Sequence, residues 1–285
     1  MLLFLFRLLA CVPLPLLHGV GRIGGRIVYA LPGKYRRRLR DNARQAGYSD
    51  AVFARRAAAQ TGAMIMELPK VWLRTEQCLD KIIAGDDDMA IVADAVAQGR
   101  GVLCLTPHLG GFEIAARYMA AVHGPMTVMF RPPRKNMLRP IMEQGRNSAT
   151  LNAVPANMKG VREFVRALRR GGVVGLLPDQ APSSGEGVWV PFFGRPAYTM
   201  TLPGKLAAQT HVPVIAAAGE RLPHGRGWRI HVVRLPEPLP ADPDHQAALV
   251  NQTMEALIRR MPDQYLWGYN RYKQPKGAPP PPPST

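Results

Sequence analysis

The sequence predicts an α/β fold with a mainly parallel central sheet flanked by helices, preceded by an N-terminal hydrophobic membrane-associated helix and a basic helical hairpin. Short apolar runs at 102–105, 126–130 and 173–177 alternate with stretches of helical periodicity, the rhythm of a sheet covered on both faces. Each of these runs is followed by a polar residue, His108, Arg131 and Asp179, and in a parallel sheet such ends share one edge, where ligands bind. The first stretch, 1–18, is almost wholly apolar, with Arg7 its one fixed charge.

At about 17 residues that stretch is at the short limit for a membrane span, and Pro13 and Pro15 favour a tilted, kinked or partly inserted helix as much as a crossing. It lacks a basic leading region and a small-residue cleavage site, so it reads as a retained anchor and not a signal peptide. Arg22, Arg26, Lys34, Arg36, Arg37, Arg38 and Arg40 follow, which keeps the rest of the chain on the cytoplasmic side beside anionic lipid. The boundaries drawn are an anchor at 1–31, a basic helical region at 32–85, an α/β domain at 86–275 and a proline-rich, disordered tail at 276–285.

Within the basic region, apolar positions such as Leu39, Ala43, Phe53, Ala57, Ile65, Leu68 and Trp72 predict two helices joined by a turn at 47–50, with Asp50 as N-cap. Asp86, Asp87 and Asp88 suit the positive end of a helix over 89–98 better than a metal. Next comes the buried strand 102–105, then Pro107, which cannot continue a central ladder, then His108 and the pair Gly110-Gly111. Two adjacent glycines allow a sharp bend or the close approach of a ligand. Helical spacing resumes over 112–122, 138–148 and 159–170, with strands at 126–130, 151–154 and 173–177 between and after them. The loop 187–194, a helix over 199–209, strands at 212–218 and 228–233 and a helix over 246–260 complete the domain.

Lys plus Arg number 37 against 20 Asp plus Glu, a net charge of +17, so the partners expected are anionic: lipid, acidic protein or nucleic acid. Cys11, Cys78 and Cys104 are scattered without metal-ligand spacing, which argues against structural disulfides and zinc. No G-x-S-x-G elbow is present, which disfavours a serine hydrolase.

His108 and Glu113 have a spacing with a chemical use. If the turn folds back, the carboxylate can hold one imidazole nitrogen while the other faces a substrate hydroxyl; alternatively, Glu113 is an acid favoured at a helix N-terminus. Arg131 has three readings: a cation for a developing oxyanion, a grip on a phosphate, or a solvated loop residue. Asp179 orients Arg131 or His108, or closes a turn with Gln180. Phe192 and Phe193, beside Gly194 in an apolar loop with Trp189, line an acyl tunnel or pack in the core.

The segment Thr106-Pro107-His108-Leu109-Gly110-Gly111-Phe112-Glu113 resembles the HX4(D/E) motif of the lysophospholipid acyltransferase superfamily. Four later blocks, 130–136, 177–180, 190–199 and 265–273, in this order resemble the lipid A biosynthesis late acyltransferases of lauroyl/myristoyl type. That resemblance covers most of the chain. It implies acyl transfer from acyl-acyl carrier protein to a hydroxyl of a lipid A precursor at the cytoplasmic face of the bacterial inner membrane, with no metal or redox cofactor and no covalent acyl-enzyme. His108, Glu113, Arg131 and Asp179 are the catalytic candidates it implies. Gly110, Gly111, Arg134, Asn136, Gln180, Phe192, Phe193 and Gly194 are the candidate substrate contacts. Another glycolipid or a lysophospholipid is the alternative acceptor. A membrane-tethered basic protein that binds nucleic acid is the alternative of a different class; it accounts for the charge but not for the three polar strand ends, so no nucleic acid is expected.

Overall fold

The computed structural model describes residues 2–130 and 150–282. Arg131, Arg134 and Asn136, and the helix expected over 138–148, lie outside the described residues.

The chain opens with α1 (Leu2–Cys11) and α2 (Leu14–Ala30), then α3 (Lys34–Gln45), α4 (Ala51–Leu73) and the short α5 (Thr75–Leu79). The alternating part follows as β1 (Ile82–Ala84), α6 (Asp86–Ala97), β2 (Val102–Leu105), α7 (Phe112–His123), β3 (Met126–Phe130), β4 (Leu151–Pro155), α8 (Met158–Arg169) and β5 (Val173–Leu176). The remainder is β6 (Gly187–Phe192), β7 (Arg195–Met200), α9 (Leu202–Thr210), β8 (Val214–Arg221), β9 (Trp228–Arg234) and α10 (Pro243–Arg260).

Among the described residues the central sheet has seven strands in the order β1-β9-β8-β2-β5-β3-β4. Every neighbouring pair is parallel except β8 with β9, so the expectation of a mainly parallel sheet holds. All four residues of β2 are buried, and alternation divides them between two cores. Leu103 and Leu105 join Val174, Leu176, Ala216 and Leu257 on one face, while Val102 and Cys104 join Val173, Ile215, Ala115 and Met119 on the other. Burying each such leucine or valine stabilises the fold by about 1.5–3 kcal/mol. Burial also pushes the Cys78 and Cys104 thiols up to about 12, so neither is a nucleophile at neutral pH.

Local signals placed several elements. Asp50 accepts a hydrogen bond from Val52 N and caps α4, and Asn157 caps α8 through Lys159 N and Gly160 N. Asp86–Asp88 do open a helix, and Asp88 also accepts from Val232 N on β9. The predicted loop 187–194 is instead the antiparallel hairpin β6–β7, with Phe193-Gly194 as its two-residue turn. Both turn residues have positive φ, 48° and 74°, the backbone a two-residue hairpin prefers and the reason for Gly194. The start of the proline-rich tail is seated, with Ala278 buried and Pro279 O accepting from Trp189 Nε1 at 2.9 Å.

No helix among the described residues is long and apolar enough to cross a membrane. The apolar opening is broken at Pro13 into two helices, and α2 lies along α4. Gly21 and Gly25 meet Gly62 and Ala58 backbone to backbone, so closely that a Cβ at Gly62 would strike Gly21 O. One face of α2 is therefore committed to the protein, while Leu16, Val20, Ile23, Ile27 and Leu31, at helical spacing, stay exposed. We expect Gly62→Ala to separate these helices and cost about 1–3 kcal/mol. A lowered midpoint of thermal unfolding would report it; an unchanged midpoint would refute the close contact.

Candidate active site

Sheet register explains why two residues 71 apart in sequence meet. Leu105 at the end of β2 pairs with Leu176 at the end of β5. Three residues further along each parallel strand stand His108 and Asp179, level with each other at the carboxyl edge.

The contact is two-pronged. Asp179 Oδ1 accepts from the Nδ1–H of His108 at 2.7 Å, and Asp179 Oδ2 accepts from the His108 backbone N–H at 2.9 Å. With Nδ1 carrying the proton, Nε2 presents a lone pair, and the Gln180 side-chain amide lies 3.1 Å from it. The His108 side chain is 18% exposed and that of Asp179 2%, so the imidazole is open to the surface while its partner is not. Burial alone pushes the Asp179 carboxyl up. The His108 charge, the two hydrogen bonds from His108 and the more distant Arg271 charge outweigh it and hold the carboxyl below its ordinary range.

The sequence offers both Glu113 and Asp179 as partners of His108, and in the fold the imidazole bonds Asp179. The reason is that α7 begins immediately after the turn and carries Glu113 in its first helical turn, where Glu113 Oε2 accepts from Trp72 Nε1 of α4 at 3.0 Å. Phe112, its neighbour, keeps its ring centroid 5.2 Å from that of His108.

Gly110 and Gly111 face the protein's own backbone. Gly110 has φ +56°, and a Cβ there would collide with Gly219 O; one at Gly111 would meet the Trp228 indole. Gly110 N donates to Gln264 O and Gly111 N to Gly219 O, so these glycines permit close packing of the turn on β8. Phe192 and Phe193 are buried among core residues, 1% and 6% exposed. The Phe193 N–H donates to Glu255 at 2.7 Å and its carbonyl accepts from Gln45 at 2.8 Å.

The C-terminal block supports the site from beneath. Leu266 N donates to His108 O at 3.1 Å, and Leu109 forms a β-bridge with Tyr265. Tyr265 is buried, and its hydroxyl is pushed well above its ordinary value by burial and then by the Asp179 charge. Arg271, 2% exposed, donates to Tyr198 O at 2.8 Å and to Thr199 Oγ1 at 2.7 Å, and its charge bears on Asp179. Reading by residue type alone missed Tyr265 and Arg271 as supports of the site; their one sequence signal was membership of the block at 265–273.

A histidine held through Nδ1 by a buried carboxylate, with Nε2 turned outward at the carboxyl edge of a mainly parallel sheet, has the geometry that general-base chemistry requires. The chain belongs to the bacterial lipid A biosynthesis acyltransferase family, whose model matches residues 1–274. The lipid A biosynthesis lauroyltransferase of Escherichia coli (strain K12) is 29% identical over 195 residues, 67% of this chain and 62% of that protein, so the match spans under two thirds of the relative's length. The lipid A biosynthesis myristoyltransferase of the same organism is 26% identical over 272 residues, 89% of this chain and 78% of that protein. A phosphatidylinositol mannoside acyltransferase of Mycobacterium tuberculosis is 27% identical over 157 residues, 54% of this chain and 48% of that protein.

Proposed function

We propose that this chain is an O-acyltransferase that moves a fatty acyl group from acyl-acyl carrier protein to a hydroxyl of a lipid A precursor. The observation that carries the reading is the outward Nε2 of His108, its tautomer set by Asp179. His108 Nε2 removes the proton from the acceptor hydroxyl as the oxygen attacks the thioester carbonyl. The tetrahedral intermediate then collapses, the C–S bond breaks, and the imidazolium returns the proton to the departing thiolate. Asp179 stabilises the imidazolium meanwhile. Glu113, in the first turn of α7, contributes negative charge near the base, and Arg131 is assigned to the oxyanion or to a lipid phosphate. Gln180 yields its place at Nε2 to the acceptor hydroxyl.

An acceptor of this kind lies in a membrane. The exposed apolar stripe of α2 supports a chain that rests on the bilayer surface and does not span it, with Arg22, Arg26 and the arginines of α3 against anionic headgroups. We place it at the cytoplasmic face of the inner membrane, where acyl carrier protein is available.

Mass spectrometry of lipid A from cells lacking this chain, complemented with the wild type or with His108→Ala, tests the reading. Loss of one secondary acyl chain, restored by wild type alone, is the expected result. Unchanged lipid A would overturn the acceptor, and the similarity to a phosphatidylinositol mannoside acyltransferase makes other glycolipids the next place to look.

A further inference from the structure

A second buried charge cluster lies behind the catalytic turn. Arg221, at the end of β8, donates Nε to Glu67 Oε2 and Nη2 to Glu67 Oε1, each at 2.7 Å. The same Nη2 reaches Gly110 O at 3.1 Å. His18 of α2 completes the cluster, its Nε2 2.8 Å from Glu67 Oε2. All three side chains are within 2% of full burial. Burial pushes Glu67 up, but the Arg221 charge and the hydrogen bonds from Arg221 and His18 outweigh it and hold the carboxylate ionised; burial also draws His18 down, toward a neutral donor.

A buried ion pair of this kind is poorly explained by stability. Removing two charges from water costs about as much as their attraction returns, and apolar residues of like volume commonly serve as well. The geometry offers another use. Gly110 O is the carbonyl two residues after His108, in a turn whose N–H groups are anchored separately, Gly110 N to Gln264 O and Gly111 N to Gly219 O. Gln264 is itself tied to the Arg221 backbone on both sides, accepting from its N–H at 2.8 Å and donating to its carbonyl at 3.0 Å. A planar guanidinium grips both carboxylate oxygens and offers a hydrogen to a third acceptor in one fixed geometry, which the flexible single nitrogen of a lysine does not impose.

We propose that Arg221 is a positioning residue: oriented by Glu67, which His18 steadies from α2, it fixes the Gly110 carbonyl and thereby the placement of His108. Its value for transfer rests on the acyltransferase reading, whereas its effect on the turn does not. Two variants test it. Arg221→Lys keeps a positive charge without the fork, and His18→Leu/Glu67→Leu/Arg221→Met removes all three polar groups together while keeping bulk.

Hydrogen–deuterium exchange of the 106–113 segment reads the turn without any substrate. In both variants this segment is expected to exchange about tenfold faster, with the global unfolding midpoint of the triple variant close to wild type. In acyl transfer, kcat is expected to fall about 10- to 100-fold at an almost constant KM, as a small misplacement of a catalytic group does. If the triple variant does not fold, Arg221→Lys carries the same two measurements. Wild-type exchange at 106–113, or wild-type kcat in a folded variant, would overturn the proposal and leave the cluster a packing feature. If wild type transfers no acyl group to a lipid A precursor, the function assigned above fails, and the exchange experiment still decides the clamp.

Discussion

His108→Ala is expected to lower acyl transfer by about three orders of magnitude or more without unfolding the protein, as read by steady-state kinetics and thermal unfolding on the same preparation. General-base assistance alone supplies about 10²–10⁴ in rate. Cys78 and Cys104 are buried with thiols held near 12, and the other ring-nitrogen partner, Gln180, is an amide without useful basicity. Stability should hardly change, because the imidazole is partly exposed and makes its contacts at the sheet edge, not in the core. Its loss does leave Asp179 with one hydrogen bond from His108, the backbone N–H, together with the Arg271 charge. A folded His108→Ala variant with wild-type turnover would remove His108 from the mechanism altogether.

The fold was legible because its central strands are short apolar runs punctuated by Gly or Pro, as with 102–105 between Gly101 and Pro107. The helices over 112–122, 159–170 and 246–260 came through for the complementary reason, a sustained 3.6-residue period, and agree with α7, α8 and α10 to within a few residues. Two things did not come through. β1 is three residues long and carries no pattern, and β6–β7 contains Pro191 and Pro196, which read as loop in a single sequence although opposite each other in a two-stranded edge they cost little. For the opening stretch, composition does not show that the glycines of α2 face α4. Its apolar residues divide between a buried face, Leu14 and Leu17, and the exposed stripe that contains Leu16 and Val20.

The site was legible in its members, and its pairing was legible only as one of several readings of Asp179. Sequence proximity joins His108 to Glu113, five positions on, while sheet register joins it to Asp179, which no local spacing reveals. The Glu67–Arg221 pair is still further from view, since it links residues 154 apart on a helix and a strand. Neither residue belongs to a motif. In composition they are two among 57 charged residues, 37 basic and 20 acidic. The same long-range logic gives the C-terminal block its place, because 264–266 supplies the strand-like backbone on which the turn 108–110 rests.

Asp179→Asn is expected to lower transfer by about 10³-fold while leaving the fold intact, and the reason is a count of donors. His108 directs two N–H groups at residue 179, one from the ring and one from the backbone, and a carboxylate meets them with an oxygen each. A carboxamide has a single oxygen. If that oxygen stays on the backbone N–H, its NH2 faces the ring and selects the tautomer with Nδ1 bare and the proton on Nε2, which removes the lone pair from the face where the acceptor hydroxyl arrives. If the oxygen turns to the ring, two donors collide at the backbone. The imidazolium formed during transfer loses its counter-charge in either case, and in triads where the tautomer is disturbed in this way the loss is about 10⁴-fold. Nitrogen NMR of the His108 ring distinguishes this account from one centred on Glu113. Asp179→Asn should move the resting proton from Nδ1 to Nε2, whereas Glu113→Gln should leave it on Nδ1; the opposite pattern would restore Glu113 as the orienting acid. The pH dependence of stability gives a second check. The Asp179 carboxyl is held below its unfolded value, so its stabilising contribution is present above the ordinary 3.8 and is lost as pH falls through the lower folded value. The Asn variant, having no such proton to take up, should show a shallower acid limb than wild type.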